Sequence, residues 1–243
     1  MGGVIRLFSS KPCRDLSVRA GLDYGTFNTI TGNLSLGKSC DKSRFFWQAR
    51  AFYREGDGYI LTPEDERRGY ETEAFLREGN FSLSGGVSLS PGHNLRFNAL
   101  LQADKRGAGT KVFDADGAYN SYLTQLYSLS YEGLISDITS VRANIYNQVE
   151  NLFTLDEKVN NQGIYKLIDS DRNMNDRGAI LHLIHSTGQH RLSAGFEVRS
   201  GRLDGEDIYR TSTDRLESGG IQQVGGLFFQ AEISLFQERL FVV

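Results

Sequence analysis

Apolar and polar residues alternate along most of this chain, and the alternation is clearest between residues 81 and 104. In Phe81–Ser90, apolar side chains stand mainly at odd positions and serines stand at even positions. Leu95–Asp104 follows after the short turn 91–94 and repeats the pattern, with polar residues at Arg96, Asn98, Gln102 and Asp104. Successive side chains of a β-strand point to opposite faces, so the pattern predicts a hairpin with one apolar and one polar face. The charges on the polar face are typical of a strand that separates lipid from water in a transmembrane β-barrel.

The same reading predicts about eleven strands. They are Leu16–Tyr24, Thr29–Gly37, Arg44–Tyr59, Phe81–Ser90, Leu95–Asp104, Tyr122–Tyr131, Ser140–Phe153, Gly178–Ser186, Arg191–Arg202, Leu227–Phe236 and a last strand that ends at Val243. Most are longer than the five or six residues of a typical globular strand, and a tilted strand needs about nine to eleven residues to cross a bilayer.

The connections between these strands alternate between short and long after the first hairpin. The long ones are predicted at 61–73, 107–120, 154–175 and 203–226. Outer-membrane barrels show this alternation, because their periplasmic turns are short and their extracellular loops are long. The predicted fold class is therefore all-β, an antiparallel up-and-down transmembrane β-barrel of which these strands form about half.

Composition narrows the function classes. Mean hydropathy is -0.37, and no segment approaches the roughly twenty apolar residues of a spanning helix. A helical membrane protein is thus excluded. A transmembrane β-barrel is not excluded, because the polar residues that face its lumen lower the mean hydropathy. A net charge of -3 and a pI of about 5.9 give no support to a nucleic-acid partner. The start MGGVIRLF has no export-signal pattern, so either the chain is not an exported protein or it is a piece of one, an internal fragment or a truncated gene product.

Several segments resemble TonB-dependent outer-membrane receptors. The opening GGVIRLFSSKP is similar to the last plug strand of that family, with matches at Gly2, Gly3, Val4, Ile5, Leu7, Lys11 and Pro12. Residues 16–37 resemble the first barrel hairpin, and residues 45–60 resemble the third strand with its exit into an extracellular loop. Residues 225–243 resemble a mid-barrel hairpin, although Ala231 stands where the family usually has Asp.

This resemblance implies a domain organisation and a function. Residues 1–12 would end a plug domain, and residues 13–243 would form the N-terminal half of a barrel of about 22 strands. The implied function is import of an iron-siderophore or similar scarce nutrient complex across the bacterial outer membrane. The implied partners are outer-membrane lipid, a metal-chelate or small nutrient substrate, and a TonB-type energy-coupling protein that acts through plug residues missing from this sequence. No cofactor is implied.

Charged and aromatic residues supply the candidate site. The alternation predicts that Arg50, Arg142, Glu150, Glu197 and Arg199 face the lumen, whereas Phe97, Val141, Ala143, Phe196 and Val198 face lipid. Arg67, Arg68, Tyr70, Tyr119 and Tyr122 fall in or beside predicted loops. Guanidinium groups pair with anions and aromatic rings stack on planar groups, so these five residues are candidates for capturing an anionic metal chelate. The alternative is that none of these residues contacts a substrate. The lumen-facing charges would then form a hydrated wall whose ion pairs hold a plug, and the loop residues would simply be solvated.

Catalytic and metal-binding patterns are weak. Asp169, Asp171 and Asn173 have the offsets of a calcium loop, but Met174 and Ile180 occupy its essential glycine and glutamate positions. No serine or cysteine has a recognisable histidine and acid context, so the chain is not expected to be an enzyme or to hold a metal.

The two cysteines are predicted to share the periplasmic rim. Cys13 precedes the first strand and Cys40 lies in the turn after the second. A disulfide between them needs Cα atoms roughly 4.4–6.8 Å apart, which requires the segment before the first strand to lean across its neighbour. The oxidising periplasm permits the bond, and two unpaired thiols are the alternative.

Two other function classes stay open from the sequence. A passive outer-membrane porin or anchor barrel predicts an upstream sequence without a plug. A soluble β-rich binding module predicts that the purified chain is monomeric without detergent, since its apolar face would have to pack on a second sheet.

Overall fold

The computed structural model describes residues 15–40, 44–160, 162–188, 190–235 and 240–242. Its elements are β1 Ser17–Gly25, β2 Thr29–Cys40, β3 Phe45–Gly56, a 3₁₀ turn Glu64–Glu66, β4 Leu76–Ser90, β5 His93–Gly107, β6 Tyr119–Ser136, β7 Thr139–Val159, β8 Tyr165–Thr187, β9 His190–Tyr209, β10 Arg215–Leu235 and β11 Leu240–Val242. The strands form an 11-stranded sheet in chain order, each antiparallel to its neighbours. The all-β, up-and-down architecture is therefore confirmed. The sheet is open, as in part of a barrel wall, because β1 and β11 lie at its two edges.

The two ends of the sheet differ in how the strands connect. One end carries the connections 26–28, 57–75, 108–118, 160–164 and 210–214, and we call it the loop end. The other end carries shorter turns such as 91–92 and 137–138, and we call it the turn end. In the turn 91–92, Gly92 has φ +80° and lies against Leu134, so only glycine suits this tight reversal.

Two of the predicted long loops are wrong, because most of their residues are strand. The predicted loop 154–175 shrinks to 160–164, and the predicted loop 203–226 shrinks to 210–214. Main-chain pairing continues through both, for example from Asn151 to Asn173 and from Asn173 to Asp204. Polar side chains occupy both faces of these extensions, so the period-two hydrophobic signal disappears while the backbone ladder persists. The calcium-like spacing around Asp171 therefore lies along β8 and not in a loop.

Cross-strand register divides the side chains between two faces. Phe97, Leu129, Ile145, Ala179 and Val198 are neighbours in one continuous row across β5 to β9. We call their side of the sheet the apolar face and the opposite side the polar face. Val141, Ala143 and Phe196 lie on the apolar face by the same register. With Phe97 and Val198, they are the residues that the alternation predicts to face lipid.

None of the residues that the structure describes forms a second layer over the apolar face. Among the described residues, the buried apolar side chains are Ala118, Leu155 and Ile184, whereas Leu227 is 90% exposed and Leu22 is 79% exposed. Such an extended apolar surface requires a cover of lipid or protein. Within the described ranges, no helix is long and apolar enough to cross a membrane.

Candidate functional site

The predicted lumen-facing residues lie together on the polar face. Register places Arg50, Arg142, Glu150, Glu197 and Arg199 on the side opposite Phe97, spread over β3, β7 and β9. Arg142 pairs with Glu132 at 2.9 Å, and Arg199 donates to both carboxylate oxygens of Asp176, from Nε to Oδ1 at 2.9 Å and from Nη2 to Oδ2 at 2.5 Å. That this face lines a lumen is a prediction that the sheet alone does not test.

A charged cluster crosses β3, β4 and β5 near the loop end. Arg54 lies 2.7 Å from Glu78, and Arg106 bridges Glu78 at 3.6 Å and Asp104 at 3.0 Å. Asp104 is only 6% exposed, and its Oδ1 has no hydrogen-bond partner in the described structure. Tyr122 is directly opposite Asp104 on the same face. Unsatisfied buried polar atoms are costly, so this cluster is a candidate contact for a polar group that enters from the polar side.

A recess lies farther along the polar face, between β7 and β10. Its floor includes Gly201 and Gly220, where an added Cβ would meet no atom within 4 Å. The recess has a volume of about 700 Å³ and its lining includes Gln148, Glu150 and Met174. Glycines on the neighbouring strands β9 and β10 thus leave space on the polar face of the sheet, and the Glu150 carboxylate lines that space.

The loops at the loop end form a connected set. Asn28 donates to the Asp57 carboxylate at 2.6 Å, which fastens the turn 26–28 to the start of the loop 57–75. The backbone of the loop 57–75 meets that of the loop 108–118 twice, from Thr72 N to Gly109 O at 3.0 Å and from Lys111 N to Tyr70 O at 2.8 Å. Movement of either long loop must therefore break contacts with the other.

Glu157 fastens the loop 108–118 to the end of β7. Its carboxylate accepts backbone N–H groups from Val112 at 2.9 Å, Phe113 at 2.6 Å and Asp114 at 2.8 Å. The Tyr165 hydroxyl donates to the same carboxylate at 3.0 Å, and Glu157 is only 1% exposed. We call these five residues the Glu157 clasp. No sequence motif marks the clasp, because three of its four donors are backbone N–H groups, which every residue except proline carries.

The clasp shifts two pKa values. Burial raises the pKa of Glu157, but the three backbone N–H donors and the Tyr165 hydroxyl outweigh it and hold the pKa below its usual range. Burial and the hydrogen bond to Glu157 raise the pKa of Tyr165 to about 12. The ionised carboxylate and the neutral phenol are thus the forms that the folded loop favours.

We expect docking of the loop 108–118 to weaken in acid. A folded-state pKa below the unfolded value gives stability that is present above the unfolded pKa and lost as pH falls through the folded one. Docking should be constant near pH 7 and weaken below about pH 4. Protection of the Val112 and Phe113 amides against hydrogen exchange, corrected for the intrinsic rate at each pH, measures it. Glu157→Gln has no carboxylate to protonate, and an equal pH response in this variant would contradict the assignment.

The five predicted substrate-contact residues do not form one site. In the loop 57–75, Arg68 donates to the Tyr70 hydroxyl at 2.7 Å, while Arg67 donates to the Thr62 carbonyl at 3.0 Å. Tyr119 lies on the face opposite Tyr122, with the Lys105 ammonium 3.8 Å from its ring centre. The pair Arg68 and Tyr70 is brought together, whereas Tyr119 and Tyr122 are separated by the sheet.

The remaining candidates are a metal site and the two cysteines. Within the described ranges, no group of three or more His, Cys, Asp or Glu side chains could hold a metal ion. Cys40 is the last residue of β2 and not part of the turn, because the strand continues three residues beyond its predicted end at Gly37. Cys13 and the predicted plug segment 1–12 lie outside the described residues. The disulfide and the domain boundary therefore stay predictions.

Comparison by sequence finds no matching family model and no matching curated protein. Comparison by structure finds FpvA from P. aeruginosa, solved in a complex with a pyoverdine and iron, with a TM-score of 0.70 and 9% identity over 94% of this chain. The ferric-catecholate import receptor Fiu from E. coli K12 superposes with a TM-score of 0.63 and 10% identity over 94% of the chain. The siderophore receptor PiuA from Acinetobacter baumannii has a TM-score of 0.48.

These similarities extend over nearly all of this chain but over less than half of each neighbour. The chain spans 36% of the FpvA chain and 43% of the Fiu chain. At this level of identity the similarity defines the fold alone. The chain therefore shares the fold of part of FpvA and of part of the import receptor Fiu, in agreement with the fold that the resemblance in its sequence predicts.

Proposed function

We propose that this chain forms part of an outer-membrane receptor that imports an iron-siderophore or a similar scarce nutrient complex. The observation that carries the proposal is the superposition on FpvA and Fiu, two proteins described with iron-bearing ligands, over 94% of the chain. The physical properties of the two faces support it. One face is apolar and uncovered, as a lipid-facing wall requires, and the other carries ion pairs, as a hydrated lumen requires.

The difference between the two ends suggests an orientation. Outer-membrane barrels place short turns in the periplasm and longer loops outside the cell. The loop end would then be extracellular, where Arg68 and Tyr70 could meet an anionic chelate before it reaches the polar face. Residues 1–12 would end a plug that a TonB-type energy-coupling protein moves, and residues 13–243 would belong to the barrel.

Uptake of labelled iron tests the function. Cells of the source organism that lack this coding sequence should lose uptake of at least one ⁵⁵Fe-labelled chelate, and the intact gene should restore it. Collapse of the proton-motive force with a protonophore should stop restored uptake, because energy coupling depends on that force. Uptake that continues with the protonophore would indicate a passive porin, and a protein recovered without detergent from the soluble fraction would indicate a soluble binding module.

A further inference from the structure

A glycine opens a groove in the apolar face near the turn end. Gly85 of β4 lies between Trp47 of β3 and Phe97 of β5 in cross-strand register, with Leu83 and Val87 before and after it on the same face. An added Cβ at Gly85 would meet only the Phe46 carbonyl oxygen, at 3.4 Å. The groove has a volume of about 360 Å³. Its walls are aromatic and aliphatic, so it suits a hydrocarbon chain and no polar ligand.

Two cations lie close to this groove along the strands at the turn end. Lys38 of β2 is directly opposite Trp47 on the apolar face, and Arg44 is the residue before Phe45, which begins β3 and lines the groove. Both side chains are exposed, and neither forms an ion pair with any residue that the structure describes. Lys38 lies only two residues before the end of β2, so its ammonium can extend beyond the apolar surface to a headgroup.

An apolar groove with cations at one end matches the two parts of an anionic phospholipid. We propose that one such lipid of the periplasmic leaflet binds here, with an acyl chain over Gly85 and its phosphate near Lys38 and Arg44. This inference rests on the proposed function, because it takes the apolar face to be in lipid and the turn end to be periplasmic. A zwitterionic lipid would fill the groove equally well, so charge decides which lipid is retained.

Trp47 allows a direct measurement, because the chain contains 1 Trp and that residue lines the groove. The 243-residue chain is reconstituted in phosphatidylcholine vesicles, and small equal amounts of acyl-brominated phosphatidylglycerol or phosphatidylcholine are added. Bromine quenches tryptophan fluorescence on contact. We expect half-maximal quenching at a lower fraction of the anionic lipid than of phosphatidylcholine, by about fivefold for each cation near the headgroup.

Three variants assign the preference to this groove. Lys38→Gln combined with Arg44→Gln should make the two brominated lipids quench equally, whereas Arg177→Gln, which removes an arginine from the same face of distant β8, should leave the preference unchanged. Gly85→Leu should fill the groove and reduce quenching by the anionic lipid.

The outcomes separate this inference from the proposed function. Equal quenching by both lipids in the unmodified chain, or a preference that survives the double glutamine variant, would overturn the lipid site while leaving the membrane wall intact. Absence of quenching by either lipid would show that the apolar face is not in the bilayer, and it would overturn the proposed function together with the lipid site.

Discussion

Ala143→Arg is expected to destabilise the protein in a bilayer by about 2–4 kcal/mol if residue 143 lies near the midplane. Ala143 is on the apolar face, in register with Leu181 and Tyr131. An arginine there must leave its guanidinium in hydrocarbon or bend it toward a distant headgroup, and both states cost free energy. Equilibrium unfolding by guanidinium chloride in lipid vesicles measures the change in the free energy of unfolding.

Gln148→Arg is the matched control for this prediction. Gln148 belongs to the same strand but to the polar face, directly opposite Asp176. An arginine there reaches water and a carboxylate, so its cost should stay within about 0.5 kcal/mol. A larger cost for Gln148→Arg than for Ala143→Arg would reverse the assignment of the two faces, since a shift of one residue in register exchanges them.

Glu157→Gln is expected to release the loop 108–118 from the end of β7. The amide keeps one acceptor but turns an N–H donor toward backbone donors, and it removes the charge that strengthened the four hydrogen bonds. Loss of hydrogen bonds to a charged group costs about 1.5–3 kcal/mol. The loop can relieve this cost by moving into water, so the expected result is local opening and not global unfolding.

Hydrogen exchange at residues 112–114 reports this opening. An opening free energy lower by about 2 kcal/mol accelerates exchange roughly thirtyfold. Tyr165→Phe removes a single bond to the same carboxylate and should have a smaller effect, about 1 kcal/mol. Thr72 should also exchange faster in Glu157→Gln, because its N–H is bonded to Gly109. Unchanged exchange at all three clasp amides would show that other contacts hold the loop.

Side-chain alternation predicted those parts of the fold in which the two faces differ chemically. Phe81–Ser90 and Leu95–Asp104 lie within β4 and β5 as expected, because one face of each strand is apolar. The alternation predicts loops for the segments 154–159 and 203–209, but in the structure they continue β7 and β9. Their polar side chains on both faces carry no periodic signal, so main-chain pairing alone reveals them.

The site was less predictable than the fold for a related reason. The charged residues of the polar face could be grouped by parity along each strand, which is a local property of the sequence. The Glu157 clasp joins Glu157 to backbone donors more than forty positions away, and the two long loops also meet through backbone groups. Because every residue except proline carries both backbone groups, such contacts leave no residue preference to detect. Tyr119 and Tyr122 are close in the sequence but do not belong to one site. Both lie on β6, and residues three positions apart on a strand point to opposite faces.

The strands β7 to β10 extend toward the loop end beyond the apolar part of the apolar face, and this extension has a kinetic consequence. Hairpins that stay paired up to 160–164 and 210–214 hold their side chains on a stiff ribbon. Under the proposed function, a ligand that arrives at the loop end would meet groups already fixed by the backbone ladder, and little conformational entropy would be lost when it binds. Capture would then be limited by diffusional encounter, with selectivity expressed mainly in the rate of release.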